Sequence, residues 1–295
     1  MSTATPNGAD PVKEGVKAAL RSEIARRLRD NDLEIPMLPH IATQAMTLAQ
    51  NPNTAIRDVA TLVEQDQVIS AKLINIANSP VYRGLNEITN LNRAILTIGL
   101  RSVSDLIFSL SVESKVFRSR HFQERMTRLW EHSVGCAFLA QQIAKRARKD
   151  TESAFLFGLL HDIGKTLVID TVSLMIKRKP EVAKAITDEL LDELLAEYHG
   201  PVGGLMGRQW RFPDRLLAAI VFHHDPDAAQ SARESALLTA SANLLCHQFG
   251  IGVPIETVDL TTHPWIAALG LSAEDVASME AELPSAAVLF ISSFV

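Results

Sequence analysis

Helical spacing of apolar residues runs through nearly the whole chain and constrains its fold more than any other feature. In "NPNTAIRDVATLVEQD", a capping signal at Asn53 and Thr54 precedes Ile56, Val59 and Val63, which share one helical face. Of the 295 residues 47% are hydrophobic, yet runs of alternating β-branched residues are few. The sequence therefore predicts an all-α, multi-helix bundle, long enough to bury a core without disulfides.

Prolines and glycines divide these helical stretches. Pro36 and Pro39 interrupt the helical pattern after the leading segment, and Pro80 and Gly84 mark a turn between later helices. A second block of helices begins near Met126. We predict four segments, which are a flexible tail and leading helix at 1–27, a first helical half at 28–125, a second helical half at 126–250 and a C-terminal helical extension at 251–295. The stretch "MSTATPNGADPVKEG" is the predicted tail.

Charge and composition exclude several functional classes. A formal net charge of -5 disfavours binding to nucleic acid, so a DNA-binding regulator is the weakest hypothesis. No run of about 18 apolar residues could span a bilayer, and the start of the chain lacks a secretory pattern, so we expect no membrane partner. Cys136 and Cys246 form no zinc or redox motif. A cytoplasmic protein is the expectation.

The motif that most needs a chemical explanation is "FLFGLLHDIGKTLVID". It places His161 and Asp162 directly after an apolar run. Burying an imidazole and a carboxylate there costs free energy unless a hydrogen-bond partner, a counter-charge or a metal ion pairs with them. Which of these partners the pair has depends on the other histidines.

Five of the nine histidines lie between positions 132 and 224. In "RLWEHSVGCAFLAQQIAKRA", His132 shares the apolar face of a predicted helix with Leu139 and Ile143. A helical bundle builds a Zn, Mn or Fe site from imidazoles and carboxylates that several of its helices contribute. The alternative for each histidine is a structural role, with its ring hydrogen-bonded to a backbone carbonyl. The histidines are His132, His161, His199, His223 and His224.

The "HDIGK" motif at 161–165 resembles the signature of the HD superfamily of metal-dependent phosphohydrolases. In that superfamily a first His, an adjacent His-Asp pair and a distant Asp hold one metal ion. His132 on the preceding predicted helix matches the first His, and His161 with Asp162 matches the pair. This fold would place an N-terminal helical subdomain against an HD-like helical subdomain.

Further motifs are similar to those of one branch, the HDOD (HD-related output domain) proteins of bacterial signalling. In the first half these are "LPHIATQAMTLAQNPNTAIRDVATLVEQDQVISAKLINIANSPVY" and "ITNLNRAILTIGLRSV". In the second half, "HGPVGGLMGRQWRFPDRLLAAIVFHHDP" resembles the family's His-x-x-Val-Gly, Trp-x-x-Pro and His-His-x-Pro series. The resemblance covers about residues 30 to 250, and several motifs in order make it far more specific than a His-Asp dipeptide.

The resemblance implies a divalent metal, Mn, Fe, Zn or Mg, held by His132, His161 and Asp162. The superfamily's last ligand, an Asp, would lie on "ALLTASANLLCHQFG", where this chain has Asn243. Asn243 carries no negative charge, and cations of this kind are held largely by carboxylate charge, so we expect weaker metal affinity.

His199, His223 and His224 are similar to outer or second-metal ligands of the HD-GYP branch. The Gly-Tyr-Pro loop of that branch, which would recognise a cyclic dinucleotide, is absent after "HHDP". A hydrogen-bonded structural cluster is the alternative for these three residues.

Lys165 and Asp162 are the candidate catalytic residues. With a metal bound, the expected chemistry is phosphoester hydrolysis, in which Lys165 would steady developing charge. The alternative places Lys165 in solvent, after a helix-terminating Gly164. No organic cofactor site is predicted.

Four other polar or aromatic residues are predicted to be structural. We expect Tyr198 and Trp210 to be core aromatics whose polar atoms find a neighbour. Asn78 and Ser79 are expected to form a turn, because both side chains bond local backbone readily.

Two functions remain open. The favoured one is an HDOD output or adaptor protein with a degenerate HD site, which contacts signalling proteins, including components of cyclic-dinucleotide pathways, through a groove between the two halves. The other is an active metal-dependent phosphohydrolase or phosphodiesterase acting on a nucleotide or cyclic dinucleotide. Asn243 favours the first, and the intact His132, His161, Asp162 and Lys165 favour the second.

Overall fold

The computed structural model describes residues 11–51 and 53–294, and within these ranges it contains fourteen α-helices, three short 3-10 helices and no strand. The all-α prediction is confirmed. Residues 1–10 of the predicted tail lie outside the described residues, and the helix α1 already begins at Pro11.

The first half of the chain folds into short helices. They are α1 (Pro11–Arg29), α2 (His40–Gln50), α3 (Ile56–Val63), α4 (Gln67–Ala77), α5 (Leu91–Ile98) and α6 (Leu100–Val116). Side chains fix several of their ends, since the Asp66 carboxylate accepts from the backbone N–H of Val68 at 2.9 Å and thereby begins α4. Asn78 forms the predicted turn by accepting from Ile88 N at 2.9 Å and donating to Ile88 O at 2.7 Å.

Helix α3 begins later than its sequence signal indicated. Its first residue is Ile56, and the Asp58 carboxylate accepts from Ala55 N at 2.9 Å. Thr54 does not cap this helix, because its hydroxyl donates to the carbonyl of Leu48 at 2.7 Å. The expected cap at Asn53 and Thr54 was therefore wrong.

Gly99 separates α5 from α6. It adopts φ +91°, a conformation that residues with a Cβ rarely take, so the chain turns sharply there. Among the described residues no single helix is long and apolar enough to cross a membrane. The pair α5 and α6 meets the same requirement of length and composition only when joined, and it is bent by 110°.

The second half carries longer helices. They are α7 (Gln123–Arg146), α8 (Thr151–Leu160), α9 (Ile163–Arg178), α10 (Asp188–Gln209), α11 (Asp214–Phe222), α12 (Arg233–Phe249), α13 (Pro264–Ala268) and α14 (Ala273–Ser292), with 3-10 turns at Pro180–Ala185, Pro226–Ala228 and Gln230–Ala232. Helix α7 is central and packs on α8, α12 and α14, while α10 packs on α9 and α11.

One core joins the halves and the extension. Leu20 of α1, Leu73 of α4 and Leu139 of α7 belong to the same buried cluster. Helix α1 lies against α10, in the second half. In the extension, the Phe290 ring on α14 stacks on that of Phe138 at 5.1 Å, so residues beyond 250 complete the core over α7.

Candidate metal centre

The fold brings four histidines and one aspartate together in the interior. His132 lies in the middle of α7, and His161 and Asp162 connect α8 to α9. His199 lies within α10, and His223 directly follows α11. All five residues are buried, none more than 4% exposed. The sequence placed them on four separate helical segments, and tertiary packing makes them neighbours.

Each buried imidazole is anchored through Nδ1 to a backbone carbonyl oxygen. A carbonyl can only accept a hydrogen bond, so Nδ1 carries the proton of the neutral ring and Nε2 presents a lone pair. This anchoring fixes the tautomer, as it does for histidines that ligate metals. The Nδ1–O distances are 3.0 Å for His132 to Ile251, 2.7 Å for His161 to Gly158, 2.7 Å for His199 to Leu195 and 2.9 Å for His223 to Ile220.

The Nε2 atoms of these rings point at one another in two pairs. His132 and His161 approach at 3.2 Å between Nε2 atoms, and His199 and His223 at 3.3 Å. Two imidazole lone pairs cannot face each other at this distance unless a proton or a cation lies between them. Each pair therefore fits a shared positive charge.

Asp162 lies between the two pairs and faces each with one oxygen. Its Oδ2 is 3.2 Å from Nε2 of His161 and 3.6 Å from Nε2 of His132. Its Oδ1 is 3.7 Å from Nε2 of both His199 and His223. Within the described part of the chain Oδ1 is buried without a hydrogen-bond partner. An orphaned carboxylate oxygen that faces two imidazole nitrogens is a fitting environment for a divalent metal.

Two groups of ligand atoms meet the spatial requirement for an ion. In each group the candidate atoms lie within 4.8 Å of one another. A metal held there would supply a positive charge that polarises a phosphoryl oxygen and acidifies a water molecule. The groups are His132, His161 and Asp162, and His199, His223 and His224.

Charges within the centre keep the Asp162 carboxyl ionised. Burial is the largest single influence and raises its pKa, but the nearby His161 imidazole and Lys165 ammonium together hold this pKa well below its usual range. The Lys165 Nζ donates to Oδ2 at 2.5 Å. For His161, burial lowers the pKa, yet Asp162 and Cys136 together raise it to about 9.

The remaining histidines of the centre are neutral at pH 7. Burial lowers the pKa of His132, His199 and His223. It also lowers that of His224 to about 4, assisted by repulsion from His199. Neutral imidazole is the form that binds metal ions.

Comparison with known proteins identifies the family. A model of the HDOD domain matches residues 35–226, more than half of the chain. This chain belongs to the HDOD domain family. The resemblance seen in its sequence motifs is confirmed.

Solved structures share the fold of this HDOD protein. An HDOD domain protein of unknown function from Geobacter sulfurreducens is 25% identical, with a TM-score of 0.72 over 95% of this chain and 97% of that one. A protein from Shewanella amazonensis SB2B, provisionally named a metal-dependent phosphohydrolase, is 22% identical, with a TM-score of 0.68 over 95% of this chain and all of that one (100%).

Two curated proteins are similar over part of their length. An uncharacterized protein of Treponema pallidum is 22% identical over 243 residues, which are 80% of this chain and 47% of that protein. Ribonuclease Y of Thermus thermophilus is 30% identical over 129 residues, which are 44% of this chain and 17% of that protein. The HDOD chain thus spans about half the length of the first relative and less of the second.

Asn243 of the HDOD chain lies beside His132, on α12. Its side-chain oxygen is buried and has no hydrogen-bond partner among the described residues. The carbonyl of an amide can still contact a cation, but it brings no negative charge. Asp162 is therefore the sole carboxylate in the two ligand groups.

His247 also borders the centre, and sequence reasoning missed it. Its ring centroid is 6.0 Å from that of His132, and its Nδ1 lies 3.4 Å from Glu256 Oε1. The available signal was its spacing of four residues from Asn243, which places both on one face of α12.

Gly164 does not end a helix, contrary to the alternative drawn from the sequence. It lies in the first turn of α9 and is buried against α10. A Cβ on Gly164 would lie 2.0 Å from His199 O and 2.5 Å from Gly203 N, so glycine is needed for the two helices to approach. Lys165 consequently lies over Asp162, and its side chain is 24% exposed.

The predictions for the two aromatic residues agree with the contacts, whereas the Ser79 hydroxyl has no hydrogen-bond partner among the described residues. Trp210 Nε1 donates to Pro36 O at 2.8 Å, and the Tyr198 hydroxyl donates to Arg21 O at 3.4 Å. Both aromatics pack in or against the core. The two cysteines, although distant in sequence, are both buried, and Cys246 contacts Cys136 beside the centre.

A groove of about 270 Å³ leads from the surface to the centre. His132 and Lys165 line it, with Arg125 and Arg128. Arg125 forms salt bridges with Asp188, at 2.9 Å, and with Asp192. Asp188 and Asp192 also line this groove, which gives a small molecule a route to His132 and Lys165.

Proposed function

We propose that this HDOD protein is a metal-binding signal-transduction module that acts through contacts with other signalling proteins. The observation that carries the proposal is the convergence of four imidazole Nε2 atoms on Asp162, whose Oδ1 has no hydrogen-bond partner in the described structure. A bound ion would join α7, α10, α11 and the α8–α9 connection through their ligands, and so stabilise the second half.

A low count of negative charge supports a module over an efficient enzyme. The two ligand groups together hold one carboxylate, and Asn243 occupies the place beside His132 where the superfamily has its last Asp. Two divalent ions would face one negative charge, which favours weak or single occupancy.

Family membership supports a role in signalling. A structural neighbour from Marinobacter aquaeolei VT8, provisionally named a signal transduction protein, shares the fold at 20% identity and a TM-score of 0.67, covering 94% of this chain and 65% of that chain. Partners in signalling, including cyclic-dinucleotide pathways, stay a proposal that rests on the family.

Metal analysis tests this function. The purified full chain should contain a divalent metal at close to one ion per chain, and His161→Ala should lose it. His40→Ala is the matched control, since His40 is exposed at the start of α2 and far along the chain from the centre. Absence of metal from the wild-type protein, both as purified and after loading with Mn or Zn, would refute the proposal.

Phosphoester hydrolysis is the second candidate. It is favoured by the groove, in which Lys165 and His132 lie beside Arg128, and by the stretch of similarity to a protein named ribonuclease Y. In this reaction Lys165 would balance charge that develops on the phosphoryl oxygens, while Arg128 would bind a remaining anionic group.

Assays with Mn and a chromogenic phosphodiester separate the two candidates. A module predicts no turnover above the His161→Ala background. Turnover that disappears in both His161→Ala and Lys165→Ala, but not in His40→Ala, would establish the enzyme instead.

A further inference from the structure

A second cavity lies between the two halves, away from the histidines. It has a volume of about 420 Å³, within the range of small-molecule sites. Helices α2 and α6 line it from the first half, and α8 and α11 from the second. Helices α8 and α11 end directly before His161 and His223, so a molecule in this cavity would contact the helices that carry the metal centre.

The cavity wall is largely apolar and partly aromatic. Phe108 and Phe157 are almost fully buried and line it together with Met46, Leu156 and Leu216. Such a wall favours the hydrocarbon body of a ligand, and its rings can pack on an aromatic group or attract a cation.

Asp105 is the polar group of the cavity wall that lacks a hydrogen-bond donor in the described structure. It lies on α6 and lines the cavity, and within the described residues its carboxyl makes no hydrogen bond. Burial raises the pKa of Asp105 to about 8, and the nearby Arg101 opposes this increase only in part. The Tyr82 hydroxyl stays protonated, because burial, assisted by the charge of Asp105, raises its pKa to about 12. This partly buried carboxyl has no protein donor, so it can accept a hydrogen bond from a ligand in the cavity.

The cavity's two guanidinium groups already have interactions. Arg215 donates to Asp150 at 2.8 Å and lies over the Phe157 ring at 5.6 Å. Arg101 has interactions of its own as well. Asp105 is thus the charged group of the cavity that a ligand could pair with. A positively charged donor would fit this position better than an anionic ligand would.

We propose that this cavity is a binding site for a small organic cation, an amine or guanidine on an apolar body, with Asp105 as its counter-charge. The proposal does not require a bound metal, and it goes beyond the function proposed above. Binding of the cation would release the Asp105 proton to solvent, so that the ligand's nitrogen donates to the resulting carboxylate while its body packs between Phe108 and Phe157.

Calorimetric titration of the full chain with benzylamine tests the proposal. At about pH 8.5 the Asp105 carboxyl is substantially ionised and a primary amine is still largely protonated. We expect a dissociation constant on the order of 1 mM or below. Asp105→Asn should weaken binding at least about tenfold, and Glu280→Gln, an exposed control on α14, should leave it unchanged.

Two further comparisons keep the test decisive if Asp105→Asn folds poorly. Benzyl alcohol, a neutral molecule of the same shape, should bind wild-type protein at least about tenfold more weakly than benzylamine. Ala49→Leu should fill the cavity and abolish binding without altering its charge. Equal binding of the two probes, equal binding to Ala49→Leu, or no binding of either benzylamine or phenylguanidine to the wild type at about 10 mM would overturn the proposal.

Discussion

Asp162 and Asp105 are both desolvated carboxyls, yet the fold leaves the first ionised and the second mostly neutral at pH 7. Burial raises the pKa of each. At Asp162, His161 and Lys165 outweigh burial and the acid stays ionised, whereas at Asp105 the opposing effect of Arg101 is too small and the pKa rises to about 8. Burial alone therefore does not fix the charge of an acid, since the surrounding cations decide it.

Removing the Asp162 carboxylate should have the largest effect on this comparison. Asp162→Asn leaves Lys165 and His161 without their counter-charge in a buried site, so we expect a loss of about 3–5 kcal/mol in the free energy of unfolding. Urea unfolding with a chelator present measures this loss without a contribution from metal. Glu280→Gln should stay within about 0.5 kcal/mol of wild type, and a loss below about 1 kcal/mol for Asp162→Asn would contradict the strength assigned to these contacts.

Separating Asp162 and its cation from α10 should have the next largest effect. In Gly164→Ala the new Cβ meets the backbone of His199 and Gly203, which cannot move aside like a flexible side chain, so we expect a loss of about 3 kcal/mol or more. Thermal unfolding and metal content both report it. Gly84→Ala is the matched control because a Cβ there meets nothing within 4 Å, and equal stability of the two variants would mean that the helices are less closely packed.

Adding a second carboxylate to the histidine centre should increase the difference in charge between this centre and the cavity at Asp105. Asn243→Asp places a negative charge beside His132, and we expect metal affinity to rise at least about tenfold, or about 1.4 kcal/mol. Competition with a chromophoric chelator measures the change, with Asn243→Ala as the control that adds no charge. If the Asp variant binds metal no more tightly than the Ala variant, Asn243 does not face the ion and does not explain a weak centre.

Neutralising Asp105 should have the smallest effect, and it should depend on pH. The folded pKa of Asp105, about 8, lies above its ordinary value of 3.8 in an unfolded chain. The stability that the neutral acid contributes is therefore complete below about pH 4 and is lost as pH rises through 8. Arg101 and Arg215 line the same cavity, and Tyr82 stays neutral across this range because burial raises its pKa to about 12, so we assign the change in this pH window to Asp105.

Thermal unfolding of Asp105→Asn and wild type at several pH values tests whether stability falls as pH rises. The variant should lack that decline, and its Tm should exceed that of wild type by at least about 2 °C at about pH 9, with little difference near pH 4. A Tm advantage that is the same at both pH values would show that Asp105 does not titrate in this window.

The sequence left two alternatives for His132, a structural histidine or a metal ligand, and the structure shows why they do not compete. Its Nδ1 bonds the carbonyl of Ile251, as the structural alternative required, and its Nε2 faces His161, as a ligand would. Helical spacing could place His132 on the buried face of α7. It could not reveal Ile251, because that partner lies 119 residues away.

The sequence alone determined the helical class and the family, because spacing and motif order are local properties of the chain. Tertiary structure decided the rest. The direction of each imidazole, the place of His247 and the contact of Cys136 with Cys246 arise from helices distant in sequence that pack together. The field at Asp162 or Asp105 is a sum over whatever charges the fold brings near, so a residue's identity does not set its charge.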